Sequence, residues 1–374
     1  SPGALAWEDG IITYAGPAEG SPVSEAAVPG AVVPGFVDCH THLPFFGWRE
    51  DEFAARLAGR SYRDLHGEGG ISRSARMLTE ASDEEILEFC RPLVAEMAAH
   101  GTTALEMKTG YGLSIEAELR QARLARRLAA QVPQTCTVTL LACHAVPPDA
   151  SRADWVRQVC DELIPTAAAE GLVDAVDIYV EDIAFTLDDL GAVAEAAAAA
   201  GLPLRCHADQ LGPSGAGSAA VEAGARSADH LNNLSEAGVG ALGSAAATVA
   251  VLLPASTLML RAGLPPVTEL VEAGAAIALS TDFNPGTSPV LSMPEVIGLG
   301  CSLYGLQAEA ALIAATVNPA WVLGLDRDLG TLEVGKRADF LVLDAADIAA
   351  VPYRPGHNPV AATYIGGALV ASQV

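Results

Sequence analysis

The 374-residue chain carries 46 acidic against 21 basic side chains, a formal net charge of −25, and 51 % of its residues are apolar. So acidic a protein repels nucleic acid and anionic membrane surfaces, which excludes both as expected partners. Seven cysteines, an odd number with no C-x-x-C pair, argue against a disulfide framework or zinc ribbon and for a reducing, cytoplasmic compartment.

Both chain ends, residues 5–16 and 330–374, read as short strands and turns, and neither piece is long enough to bury a core alone. Between them, short β-branched apolar runs alternate with longer Ala/Leu/Glu/Arg segments. Eight strands are predicted, over 32–42, 102–108, 136–145, 175–181, 202–208, 227–231, 248–253 and 275–281. Helices are predicted between them, for example over 83–100, 115–130, 154–170 and 186–200. Gly101 and Gly201 follow two of these, as C-terminal stops do. The stretch from Ala237 to Leu260 is uncharged, but its glycines, serines and Pro254 predict a buried strand flanked by turns rather than a membrane span. The N-terminus shows no basic region followed by an apolar run, so no signal peptide is expected.

Eight strand–helix alternations predict an α/β fold with a closed parallel (β/α)8 TIM barrel. A doubly wound open sheet would carry G-x-G-x-x-G after its first strand, and none occurs there. The expected organisation is a barrel over residues 34–326, inserted into one small β domain built from residues 1–33 and 327–374.

The chemistry concentrates at predicted strand ends. His40 and His42 stand at i and i+2 of one strand and share a face. His144, His207 and His230 end the third, fifth and sixth strands, and Asp282 follows the eighth. Five of the eight histidines thus fall where a barrel gathers its active site. His66, His100 and His357 read as surface or structural. Cys39, Cys143 and Cys206 each precede a site histidine and should point away, as small core residues. His40, His42, His207 and Asp282 offer three nitrogens and one oxygen, which suits zinc or another divalent transition metal. Asp282 can take the proton of an activated water, and His230 can orient that water or stabilise an oxyanion.

Several segments carry a family likeness. They are Pro34–His42, Gly47–Phe53, the Lys-Thr-Gly-Tyr-Gly-Leu run 108–113, His-Ala-Asp-Gln 207–210, Ser-Ala-Asp-His-Leu 227–231, Thr-Asp-Phe-Asn-Pro-Gly 281–286 and Glu-Val-Gly-Lys-Arg-Ala-Asp 333–339. With them the chain resembles the imidazolonepropionases of the amidohydrolase superfamily, across nearly its whole length. The resemblance implies a β-sandwich for the small domain, a single zinc or iron ion, a homodimer, and hydrolysis of 4-imidazolone-5-propanoate to N-formimidoyl-L-glutamate in histidine breakdown. It puts His40, His42, His207 and Asp282 on the metal, and Arg49, Tyr111, His144, Gln210, Asn284, Gly286 and Thr287 on the substrate. Arg49 suits the propionate, since a guanidinium forks onto a carboxylate, although an ordinary surface pair with Glu50 or Asp51 is the plainer expectation. Asn284 and Gly286 sit in a turn whose N–H groups can meet that carboxylate. Gln210 can hold substrate or water, but an amide is no general base, so proton transfer falls to Asp282 and His230. Lys108 is expected to be structural or near the substrate. The competing function is another amidohydrolase, such as an aromatic deaminase, on the same metal site; a non-catalytic metal-binding protein is a third.

Overall fold

The computed structural model describes residues 3–22, 27–60 and 69–373; His66 lies outside them. Strands β1 (Gly3–Glu8) and β2 (Ile11–Pro17) form an antiparallel hairpin, and β3 (Val32–Pro34) leads into the barrel. The barrel strands are β4 (Phe36–Asp38), β5 (Thr102–Lys108), β6 (Thr135–Cys143), β7 (Ala175–Val180), β8 (Leu204–Ala208), β9 (Ser227–His230), β10 (Val249–Leu252) and β11 (Ile277–Leu279). They pair parallel and in chain order, each beside the next. The ring closes above β4 and β11, where Thr41 bridges Phe283 and His42 N–H donates to Phe283 O at 2.9 Å. The buried Asp38 carboxylate fastens the same seam, accepting from the Ser280 hydroxyl, from Thr281 N at 3.1 Å and from Thr281 Oγ1 at 2.6 Å.

The predicted strand over 32–42 proves to be two. Residues 32–34 pair antiparallel with β12 (Phe340–Leu343) in a second sheet, and only 36–38 enter the barrel. Gly35 is the crossing point, because a Cβ there would sit 2.1 Å from Thr103 Oγ1. The second sheet continues through β13 (Val360–Ile365) and β14 (Ala368–Ser372). The β1–β2 hairpin lies on it. Ile12 is buried with Ala338, Phe340 and Val342, and Trp7 packs on Phe340 with ring centroids 5.0 Å apart. The two termini therefore complete one small two-sheet unit, since neither has enough apolar surface to stand alone.

Helices cover the barrel's outer face. Ser82 and Thr186 each make a reciprocal capping box, with Glu85 and Asp189, and Ser114 and Ser151 cap two more helices. Within the uncharged stretch 237–260, β10 is flanked by short helices rather than turns: Glu236–Ser244 precedes it and Pro254–Leu260 follows. Pro254 fits because its missing N–H falls in a first helical turn. Among the described residues, no helix is long and apolar enough to cross a membrane.

Candidate metal centre and substrate pocket

Every barrel strand except β10 delivers a polar residue at or just beyond its C-terminal end, and these side chains converge on one pocket. It is lined by His42, Arg49, Ile71, Tyr111, His144, Tyr179, His207, Gln210, His230, Asp282, Asn284 and Thr287. His40 lies fully buried beneath, its ring centroid 4.4 Å from that of His207, 5.3 Å from that of His42 and 5.5 Å from that of His230. Asp282 Oδ1 stands 3.2 Å from His42 Nε2 and 3.6 Å from His40 Nε2. Ligand atoms of His40, His42 and Asp282 lie within 4.8 Å of one another, as do those of His40, His207 and His230.

Two imidazoles are tied from behind. His40 Nδ1 meets Asp229 Oδ2 at 2.6 Å, and His207 Nδ1 meets Asp177 Oδ1 at 3.1 Å. This fixes which nitrogen faces forward. His40 Nε2, His207 Nε2 and His42 Nδ1 are buried with no hydrogen-bond partner. Orphaned imidazole nitrogens beside a carboxylate cost free energy unless something binds them, and a carboxylate behind a metal-bound histidine is the usual support. The donor set fits a divalent metal ion.

Burial pushes the His40 and His144 imidazoles well below their ordinary range, and neighbouring positive groups add to the effect. His230 is pushed down to about 3 by burial, with Asp282 opposing. These rings are therefore neutral at pH 7, the form a metal ligand or a single hydrogen-bond donor requires. Burial raises the Asp282 carboxyl, but the hydrogen bond from His42 and the proximity of His230 outweigh it, and the group stays ionised. Both His230 (φ 76°) and Asp282 (φ 55°) hold the left-handed backbone region, which places their side chains where regular strand would not.

The pocket's far wall carries Arg49, 3 % exposed. It is not a surface ion pair. Arg73 takes Asp51 at 2.6 Å, while Arg49 Nε faces Glu52 at 3.8 Å, and its Nε and Nη1 have no hydrogen-bond partner among the described residues. The guanidinium lies flat against Gly286, where a Cβ would sit 1.6 Å from Arg49 Nη2. Gly286 thus supports Arg49 instead of lining the pocket. Its N–H and that of Thr287 both donate to Asn284 Oδ1, at 2.9 and 2.7 Å, so these amides hold the turn together rather than pointing at a ligand. Asn284 Nδ2 in turn donates to Asp282 O at 2.6 Å. Gly286→Ala is expected to displace Arg49 and raise KM by about a hundredfold, the usual scale for a 1 Å misplacement, without loss of metal; steady-state kinetics with metal analysis checks this.

Tyr111 is held by its loop. The buried Glu118 carboxylate accepts from Gly110, Gly112 and Leu113 N–H groups at 3.0, 2.7 and 3.2 Å, and Gln121 Oε1 accepts from Tyr111 N at 3.0 Å. His144 stacks near-parallel on His42, centroids 5.1 Å apart. Gln210 lines the pocket beside His207. Cys39, Cys143 and Cys206 are buried free thiols packed in the apolar core, and burial raises their pKa, Cys39 to about 12. His100 and His357 lie away from the pocket, bonded to Ser292 and Asp344. Sequence reasoning missed Asp177 and Asp229, and with them the buried Glu106 and Arg205.

The amidohydrolase family model matches residues 31–370. The imidazolonepropionase of Rubrobacter xylanophilus is 45 % identical over 342 residues, covering 91 % of this chain and 82 % of its own length. That of Polaromonas sp. strain JS666 is 43 % identical over 365 residues, covering 95 % and 86 %. Among solved structures, 5-methylcytosine deaminase from Klebsiella pneumoniae superposes with a TM-score of 0.78 at 17 % identity, covering 100 % of this chain and 95 % of its own. A zinc-bound adenosine deaminase from Xanthomonas campestris superposes with a TM-score of 0.74 at 19 % identity, covering 98 % and 88 %. Likeness at that identity speaks for the fold alone. The chain belongs to the amidohydrolase family, among its imidazolonepropionases.

Proposed function

We infer that this chain hydrolyses the ring C–N bond of 4-imidazolone-5-propanoate, giving N-formimidoyl-L-glutamate. The observation that carries the reading is Arg49, a buried guanidinium whose Nε and Nη1 have no hydrogen-bond partner among the described residues, on the same pocket as the histidine–aspartate cluster. A substrate with a carboxylate at one end and a ring carbonyl at the other answers both. His40, His42, His207 and Asp282 would hold the metal ion, zinc or iron. Such an ion acts as a Lewis acid and lowers the pKa of water to about 7.

The chain's own residues do the rest. Asp282, ionised and at the pocket floor, takes the proton of the attacking water. His230, neutral at pH 7, donates to the oxygen that gains negative charge as the carbonyl carbon becomes tetrahedral. The bond from that carbon to the ring nitrogen breaks, Asp282 returns its proton to the nitrogen, and the carbon is left as a carboxylic acid group that loses its proton to solvent. Arg49 fixes the propionate, while Tyr111, His144, Gln210, Asn284 and Thr287 surround the ring. Gln210 orients and does not exchange protons, since an amide has no acidic or basic form near neutrality.

The test is loss of imidazolone absorbance on adding the purified protein. Turnover is expected to vanish after dialysis against chelator and to return with zinc or ferrous ion. Ammonia release would favour a deaminase, because ring opening consumes water and frees no ammonia. We also propose a homodimer in the cytoplasm. The seven free cysteines support a reducing compartment, and light scattering on the purified protein tests the dimer.

A further inference from the structure

Beneath the proposed metal ligands lies a buried layer of charge that touches no substrate: Glu106, Lys108, Asp177, Arg205 and Asp229. Lys108 Nζ is 2.6 Å from Asp177 Oδ2, 2.8 Å from Glu106 Oε2 and 4.0 Å from Asp229 Oδ2. Arg205 pairs with the other oxygen of Glu106. The two carboxylates that flank the ammonium are the ones that hold His207 and His40. The backbone joins the same parts, since Lys108 N donates to Thr41 O at 2.9 Å and Thr41 Oγ1 donates to Glu106 O. Thr41 stands between His40 and His42.

Burying three carboxylates and two cations is costly, and a core held for stability alone is as well served by apolar side chains. Ligand atoms of Asp177, His207 and Asp229 lie within 4.8 Å of one another, a spacing that attracts a cation. The Lys108 ammonium already stands beside them. Without it, Asp177 and Asp229 would repel each other, and Asp177 would be free to turn from His207.

We propose that Lys108 is a positioning residue for the metal centre, a fixed internal cation that holds Asp177 and Asp229 so that His207 and His40 present Nε2 to the pocket. The proposal rests on the metal-centre reading above. It predicts that metal affinity, rather than substrate affinity, depends on a side chain that touches neither.

The experiment is competition for zinc between the full-length protein and a chromogenic chelator. Lys108→Met is expected to weaken zinc binding about 10- to 100-fold, the scale of losing a partner behind a metal-bound histidine. Asp177→Asn should do the same. The double variant should lose less than the sum of the two single losses, because part of the effect of Lys108 runs through Asp177 and the rest through Asp229. Should Lys108→Met fail to fold, the pair Glu106→Gln with Lys108→Gln removes one charge of each sign and asks the same question. Circular dichroism and a thermal melt report folding separately. Unchanged zinc affinity in a folded Lys108 variant, or additive losses in the double variant, overturns the proposal. If instead the wild-type protein binds no zinc, or His40→Ala leaves the affinity unchanged, the metal-centre reading itself fails.

Discussion

Asp282→Asn is expected to lower kcat by at least about a thousandfold, or about 4 kcal/mol of barrier, while the protein still folds. The substitution is nearly isosteric, and asparagine tolerates the left-handed backbone that residue 282 adopts at φ 55°. The local frame survives as well, because Asn284 Nδ2 bonds to the backbone carbonyl of residue 282. What the amide cannot do is accept a proton from water and return it to the departing ring nitrogen. No other group in the pocket is placed to substitute. His230 and His144 are held neutral by burial, with pKa values far below the working range, and Gln210 has no titrating form. Metal content must be measured on the same sample, since the amide also offers a weaker ligand than the carboxylate. A fully metallated Asp282→Asn enzyme with near-normal kcat would remove Asp282 from the proton path.

Those catalytic groups were readable in the sequence because the barrel turns a chain-wide pattern into a local one. Strand ends separated by up to 242 residues, as at His40 and Asp282, meet at one face. Any polar residue at the C-terminal end of an apolar run is therefore a candidate. The groups beneath were harder to see, though a signal existed. Arg205 and Glu106 stand two residues before His207 and Lys108, and by strand alternation each lies one layer deeper on the same inward face. Alternation also explains the miss at Asp229. It precedes His230 by one and should point the opposite way, but the left-handed backbone at His230 breaks the alternation and lets both side chains reach the centre. Gly286 shows a different limit. Its contact is with Arg49, 237 residues earlier, and nothing local to the turn distinguishes a glycine that avoids a guanidinium from one that faces a substrate. The misread strand over 32–42 has a similar cause. An apolar run that crosses from one sheet to another keeps its composition, and only Gly35 marks the crossing.

Arg49→Met should raise KM about a hundredfold, close to 3 kcal/mol, and change kcat by less than about tenfold. Methionine keeps most of the aliphatic stem and removes the guanidinium that lies on Gly286, so part of the pocket wall stays filled while the clamp is lost. The size of the effect follows from the state of the free enzyme. Arg49 is 3 % exposed, and its Nε and Nη1 lack hydrogen-bond partners among the described residues, so the substrate carboxylate supplies bonds that those residues do not provide. Arg49→Lys should recover only part of the loss, because an ammonium is a point charge without the planar fork. The sharper comparison uses a substrate whose propionate is converted to the neutral amide. Wild type should lose most of its preference on that change and Arg49→Met almost none, which places the interaction between that guanidinium and that carboxylate rather than in a general distortion of the pocket. An Arg49→Met enzyme with unchanged KM, or one that discriminates between acid and amide as well as wild type does, would take the substrate assignment with it, because nothing else in the pocket explains why a buried cation with two donors unbonded among the described residues faces the metal cluster.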